Sequence, residues 1–241
     1  MKGDALSIHP LIQSLKGTLI VSVQAYPGEP LRTPEAMALM ARACELGGAA
    51  AIRCQGLADI SAIKGRVEVP VIGLWKDGHD GVYITPTLRH ARACVAAGAD
   101  IVAIDATDRP RPDGKSVADT LAPLKEEGVL TMADCMTIDD IRRAVDLGFD
   151  IVSTTLSHGA AAIDCTMADG PDLPLLRQAA KEFPGFLRGP RAHAGRGPDR
   201  YGRRRLGRGG GNGHYASHEH HELVCRRAGC IEGSPLSQAI D

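Results

Sequence analysis

A (β/α)8 TIM barrel is the fold the sequence predicts, and three observations predict it. Short, continuous apolar runs rich in β-branched residues alternate with segments of helical spacing. Similar text recurs every fifty residues, around Gly48, Gly98 and Gly148. The first strand-to-helix turn, SVQAYPG, also lacks the glycine-rich fingerprint that a doubly wound sheet usually carries there.

The runs, in order, are TLIVSV (18–23), AAAIRC (49–54), VPVIGLW (69–75), ADIVAIDA (99–106), GVLTMAD (128–134) and FDIVSTT (149–155). None alternates with polar residues, as expected of parallel strands buried on both faces. PEAMALMARACELGG (34–48) and TLRHARACVAAGA (87–99) have helical spacing between them. Thr33-Pro34 and Thr85-Pro86 read as N-cap and N1 pairs, and the three glycines as left-handed helix stops. Two β/α units per fifty residues give a repeated module, with LPLLRQAAKEFPG (173–185) as the sixth helix of the series.

After that helix the rhythm stops. Residues 185–241 carry ten Lys/Arg against five Asp/Glu, and the stretch from Arg188 to Gly229 shows neither a strand-like run nor a helical stripe. The domain expectation is therefore residues 1–184 for barrel units one to six, with strands seven and eight missing or disrupted. Residues 185–241 read as an aberrant Gly/Arg/His-rich basic tail without order.

Composition narrows the function classes. The 241 residues carry a net charge of -1, which gives no reason to expect nucleic acid or an acidic membrane surface as partner. No run approaches the roughly 20 apolar residues of a membrane helix, and the N-terminal stretch lacks a secretory apolar core. Seven cysteines without a CxxC pair point to a reduced, cytoplasmic setting. GRGGGNG (207–213) has no strand before it and no helix after it, which argues against a nucleotide loop. HEHHE (218–222) lacks the second histidine of HExxH at Glu222, so a catalytic zinc is not expected.

Barrel chemistry sits at the carboxyl ends of the strands. Those ends offer Gln24, Arg53, Lys76, Asp105 and Asp134. Lys76 directly follows an apolar strand, where partial desolvation favours a proton-transferring amine. Arg53 is a forked donor for a hydroxyl or phosphate, and Gln24 can donate and accept. Asp105 and Asp134 are alternatives for orienting the lysine, one of them equally able to cap the next helix.

SVQAYPGEPL, AIRCQGLADISAIK, VPVIGLWK, ITPTLRHARACVAAGADIVAIDAT, RPRPDG and MADCMTIDDIRRAVDLGFDIVSTTLS, in this order, resemble the N-acetylmannosamine-6-phosphate 2-epimerase family over roughly residues 15–182. The resemblance implies a phosphosugar-binding barrel that interconverts N-acetylmannosamine 6-phosphate and N-acetylglucosamine 6-phosphate in sialic acid degradation. It implies proton transfer at C2 without cofactor, a small-molecule phosphosugar as partner and a homodimer. Lys76 falls on a catalytic position, and Gln24, Arg53 and Asp134 on substrate-contacting ones. Two alternatives stay open: a Schiff-base aldolase-like barrel using Lys76, and an inactive, truncated one.

The chain departs from the family in three places. The family's glutamate, in an Ala-Glu-Gly-Arg motif after strand seven, has no counterpart in FLRGPRA (186–192), and the phosphate-binding strand-eight loop is missing. LSHGAAAI (156–163) replaces the usual Gly-Tyr-Thr after Leu-Ser. Reverse-translated and read one nucleotide later, residues 205–228 yield Ala-Leu-Gly-Ala-Ala-Val-Val-Thr-Gly-Thr-Thr-Arg-His-Thr-Asn-Thr-Thr-Asn-Trp-Phe-Ala-Ala, a family-like strand, phosphate turn and helix. A slipped reading frame upstream, between about residues 157 and 205, accounts for the tail.

Overall fold

The computed structural model describes residues 8–157, 172–183, 187–193 and 220–224. Eight strands close a barrel in sequence order: β1 (Leu19–Val23), β2 (Ala51–Gln55), β3 (Val71–Leu74), β4 (Ile101–Asp105), β5 (Leu130–Asp134), β6 (Ile151–Ser153), β7 (Leu187–His193) and β8 (His220–Val224). The first seven pair in parallel, whereas β8 runs antiparallel to both β7 and β1. Six of these strands are the six runs read from the sequence, most of them trimmed by a few residues and β2 reaching one residue further, to Gln55. The closing seam is irregular, as the expected disruption of units seven and eight requires. Two strands nevertheless pair where the sequence shows no strand-like run. Pro190 within β7 cannot donate to a ladder, and the β7–β8 register shifts between Arg188 and Arg191. The remainder of the basic stretch, with its glycine-rich segment, and residues 158–171 after strand six lie outside the described residues.

A short helix α1 (Pro10–Ser14) precedes β1, and the crossovers contain α2 (Pro34–Leu46), α3 (Leu57–Lys64), α4 (Leu88–Ala96), α5 (Val117–Glu126), α6 (Ile138–Leu147) and α7 (Leu173–Glu182). Thr33, Ser116 and Thr137 cap their helices through side-chain oxygens, and the latter two complete capping boxes with Asp119 and Asp140. Gly48, Gly98 and Gly148 take φ of 95°, 105° and 83°, the left-handed stops their spacing predicts. The Thr85-Pro86 pair does not open a helix. The N-cap of α4 is Thr87, and Thr85 stands at φ 46° because its backbone is committed to a hairpin with Trp75.

Period-two alternation divides the core. Val21, Ile52, Val102, Ile104, Ala133 and Val152 pack outward with the helices. Ile20, Ala51, Ile72, Leu74, Ile101, Ala103, Met132 and Ile151 fill a second cluster, joined by Ile12 and Leu15 from around α1. Counting two residues on from this inner set reaches Ser22, Arg53, Lys76, Asp105, Asp134 and Ser153. The inward rows change from apolar to polar toward the carboxyl ends of the strands, where barrel sites lie.

Candidate active site

Arg53 and Asp134 face each other at the centre of this polar row. Arg53 Nη2 donates to Asp134 Oδ2 at 2.5 Å, and the two side chains are 3% and 0% exposed. Burying both charges costs several kcal/mol of desolvation per ion, repaid only by close geometry and further hydrogen bonds. Those further bonds are incomplete: Arg53 Nε and Asp134 Oδ1 are buried without partners among the described residues. A donor and an acceptor therefore stand unused, a pair that suits the hydroxyls of a polar ligand.

Asp105 resolves differently from Asp134. Its Oδ1 accepts from Thr107 N at 3.0 Å and Thr107 Oγ1 at 2.6 Å, and its Oδ2 accepts from Arg109 Nη2 at 2.6 Å. The carboxylate is spent on the loop after β4. Arg111 fastens the same loop by donating to the carbonyls of Pro86 and Asp105, and burial pulls its pKa below the ordinary guanidinium range. Of the two alternatives for a structural aspartate, Asp105 is the loop anchor. The register carries the row onward, with Asp105 beside Asp134 and Asp134 beside Ser153. Gln24 is buried just past β1 and donates through Nε2 to Ser22 Oγ at 2.7 Å.

Lys76 stands two residues past Leu74, on a hairpin that extends β3. It bridges Ile84 in antiparallel fashion, and Thr85 N donates to Trp75 O at 2.8 Å. Its Nζ lies 3.3 Å from Tyr26 Oη and 4.7 Å from the centre of that ring. Behind the hairpin, His90 joins Asp77 and packs against Trp75 with the two rings tilted by 57°. The sequence reading missed Tyr26, Asp77 and His90. Tyr26 lies two residues past Gln24, but the other two depend on how a loop and a helix meet, which no spacing encodes. Burial drives the thiols of Cys54, Cys94 and Cys135 upward, Cys94 to about 12, which removes them as nucleophiles. Among the described residues no three-residue cluster of metal-ligating side chains occurs, and no helix is long and apolar enough to cross a membrane.

Residues 37–185 match the family described as "Putative N-acetylmannosamine-6-phosphate epimerase". A curated relative from Cutibacterium acnes, whose name gives that activity as a 2-epimerase, is 54% identical over 73% of this chain and 76% of its own. One of the same name from Corynebacterium glutamicum is 46% identical over 72% and 75%. The solved N-acetylmannosamine-6-phosphate 2-epimerase of Clostridium perfringens superposes with a TM-score of 0.66 at 38% identity, covering 74% of this chain and 78% of that one. The chain belongs to the N-acetylmannosamine-6-phosphate epimerase family.

Proposed function

We propose that this protein interconverts N-acetylmannosamine 6-phosphate and N-acetylglucosamine 6-phosphate, an amino-sugar step of sialic acid degradation. Lys76 exchanges the C2 proton, and Gln24, Arg53 and Asp134 hold the sugar. The observation that carries this reading is the buried Arg53–Asp134 pair with one unused donor and one unused acceptor, set in the polar row that Lys76 shares. In the open-chain sugar C2 carries the acetamido group and adjoins the C1 aldehyde, so removing its proton leaves an enolate whose charge rests on O1. The neutral amine of Lys76 takes that proton and becomes an ammonium. A proton returned to the opposite face of the planar carbon inverts it, and one returned to the same face regenerates substrate. The reaction balances with no electron acceptor.

Deuterated water tests the assignment. Substrate should gain deuterium at C2, and Lys76→Met should slow this about 10²–10⁴-fold, the usual worth of a general acid or base. Undiminished exchange in Lys76→Met removes the lysine from the mechanism. Borohydride trapping of a substrate adduct on Lys76 would favour the Schiff-base alternative instead.

Inversion needs a second group on the far face, which the resemblance implies to be a glutamate. The family match ends at residue 185, where the composition turns basic. With permitted codons, GFLRGPRAHAG (185–195) read one nucleotide later gives Val-Phe-Ser-Glu-Gly-Arg-Val-His-Thr-Pro. The same one-nucleotide shift that repairs residues 205–228 thus also supplies a Glu-Gly-Arg motif at the expected place. On this reading residues 1–184 are barrel units one to six, and the frame slips at or just before Gly185. The nucleotide sequence around that codon tests it directly. The restored chain should turn over about 10²–10⁴ times faster than the 241-residue chain. Equal rates would show that the tail as written carries the missing groups.

A further inference from the structure

Lys76 owes its position to a structure that is weak by itself. Beyond β3 the chain forms a two-stranded hairpin, in which Asp77 N donates to Tyr83 O at 3.0 Å and Thr85 N to Trp75 O at 2.8 Å. Its tip turns on Gly78 and Gly81, both at positive φ. Isolated two-stranded hairpins are marginal in water. This one also holds Thr85 at φ 46°, a left-handed conformation that strains a β-branched residue. Such strain persists only where surrounding contacts fix the backbone.

The fixing contacts converge on His90, in the first turn of α4 and 3% exposed. Its Nε2 lies 2.9 Å from Asp77 Oδ2 and its Nδ1 2.8 Å from Thr87 Oγ1. The carboxylate can only accept, so Nε2 carries the proton toward Asp77 and, in the neutral ring, Nδ1 accepts from the Thr87 hydroxyl. The imidazole also packs on Trp75 with ring centres 4.4 Å apart, and Arg89 lies 5.4 Å above that indole. His90 therefore grips residues 75 and 77. Because side chains alternate along a strand, Lys76 between them points the other way, toward Tyr26.

The N-terminus of α4 gives up something for this grip. Thr33, Ser116 and Thr137 all cap their helices with a side-chain bond, whereas Thr87 makes none because its hydroxyl serves His90. We propose that His90 and Asp77 form a positioning clamp that sets the place of Lys76 at the mouth of the barrel. The clamp deepens the proposed role of Lys76 and rests on it.

Trp75 is the only tryptophan of the chain, so its fluorescence reports the clamp without reference to catalysis. In the 241-residue chain, Asp77→Ala and His90→Phe should at least double acrylamide quenching of Trp75. Asp77→Asn, which keeps an acceptor for Nε2, should leave it near its original value, as should Lys76→Met. C2 deuterium exchange, read on this chain and on the frame-restored one, should show kcat falling about 10–100-fold in Asp77→Ala and His90→Phe with KM within threefold. That is the range expected when a reacting group is displaced by about an ångström. Asp77→Asn should recover most of it. Quenching unchanged in both Asp77→Ala and His90→Phe overturns the clamp, and loosened Trp75 with undiminished kcat overturns its positioning role. Exchange surviving in Lys76→Met, beside loosened Trp75 in the clamp variants, sinks the lysine assignment and leaves the clamp as architecture alone.

Discussion

Arg53→Met removes the guanidinium while keeping much of its stem, and it strands Asp134 as a carboxylate with no exposed surface. Breaking one side of a buried pair typically costs about 3–5 kcal/mol, because the surviving charge must shed its ionisation or drag water inward. The geometry argues for the upper part of that range. The pair is 2.5 Å apart, and Asp134 Oδ1 has no partner among the described residues to soften the loss. With a urea slope of about 2 kcal/mol per molar, the midpoint should fall by roughly 2–2.5 M. Asp134→Leu should cost a similar amount by stranding Arg53. The double variant Arg53→Met/Asp134→Leu should cost far less than the sum, since apolar side chains replace a buried pair at little net expense. Unfolding is followed by Trp75 fluorescence and far-ultraviolet circular dichroism, whose coincidence licenses the two-state treatment. All three variants should lose C2 exchange. Single costs that add to within about 0.5 kcal/mol of the double would refute the reasoning, because independent sites behave that way and a charge pair does not.

Three further outcomes follow from the packing. A Cβ on Gly73 would stand 2.7 Å from Ala99 Cβ and 2.8 Å from Ile60 Cδ1; Gly73→Ala should therefore destabilise by about 1–3 kcal/mol, with part recovered by Ile60→Val. Because Cys54, Cys94 and Cys135 stay protonated in the fold far above the ordinary thiol range, alkylation at pH 8 mapped by mass spectrometry should spare these three and reach the partly exposed Cys44 sooner. The same shifts set the sign of an alkaline effect. Above about pH 8.5 the unfolded thiols release protons that the folded ones retain. Stability is thus full below that pH and should fall as pH rises, by about 1.4 kcal/mol per unit for each thiol, and replacing Cys94 with Ala should flatten the slope of urea midpoint against pH.

Six of the strands were legible because each is short, apolar and bounded by helix signals. Gln24, Arg53, Lys76 and Asp134 could be named as candidates from the sequence because each stands where such a run ends. Strand ends locate polar residues without knowing which strands are neighbours. Pairing is another matter. Nothing in the spacing tells Asp105 from Asp134, both of which end apolar strands. Only the fold shows one spent on Thr107 and Arg109 and the other on a buried arginine. His90 was hidden for a related reason, since it sits on an amphipathic helix where a histidine reads as surface, and its burial depends on the Trp75–Thr85 hairpin folding back over α4. Thr85-Pro86 misled because a threonine before a proline is a good N-cap signal when local preference decides, and here Thr85 N donates to Trp75 O while Trp75 N donates to Thr85 Oγ1, which outweighs it. The seam is the hardest case. A crossover barrel needs every strand parallel, and β8 enters antiparallel, so the last unit does not follow the rule that the first six obey. A local sequence signal fails wherever local and global preferences disagree, and that disagreement begins within a few residues of Gly185, where the family match stops.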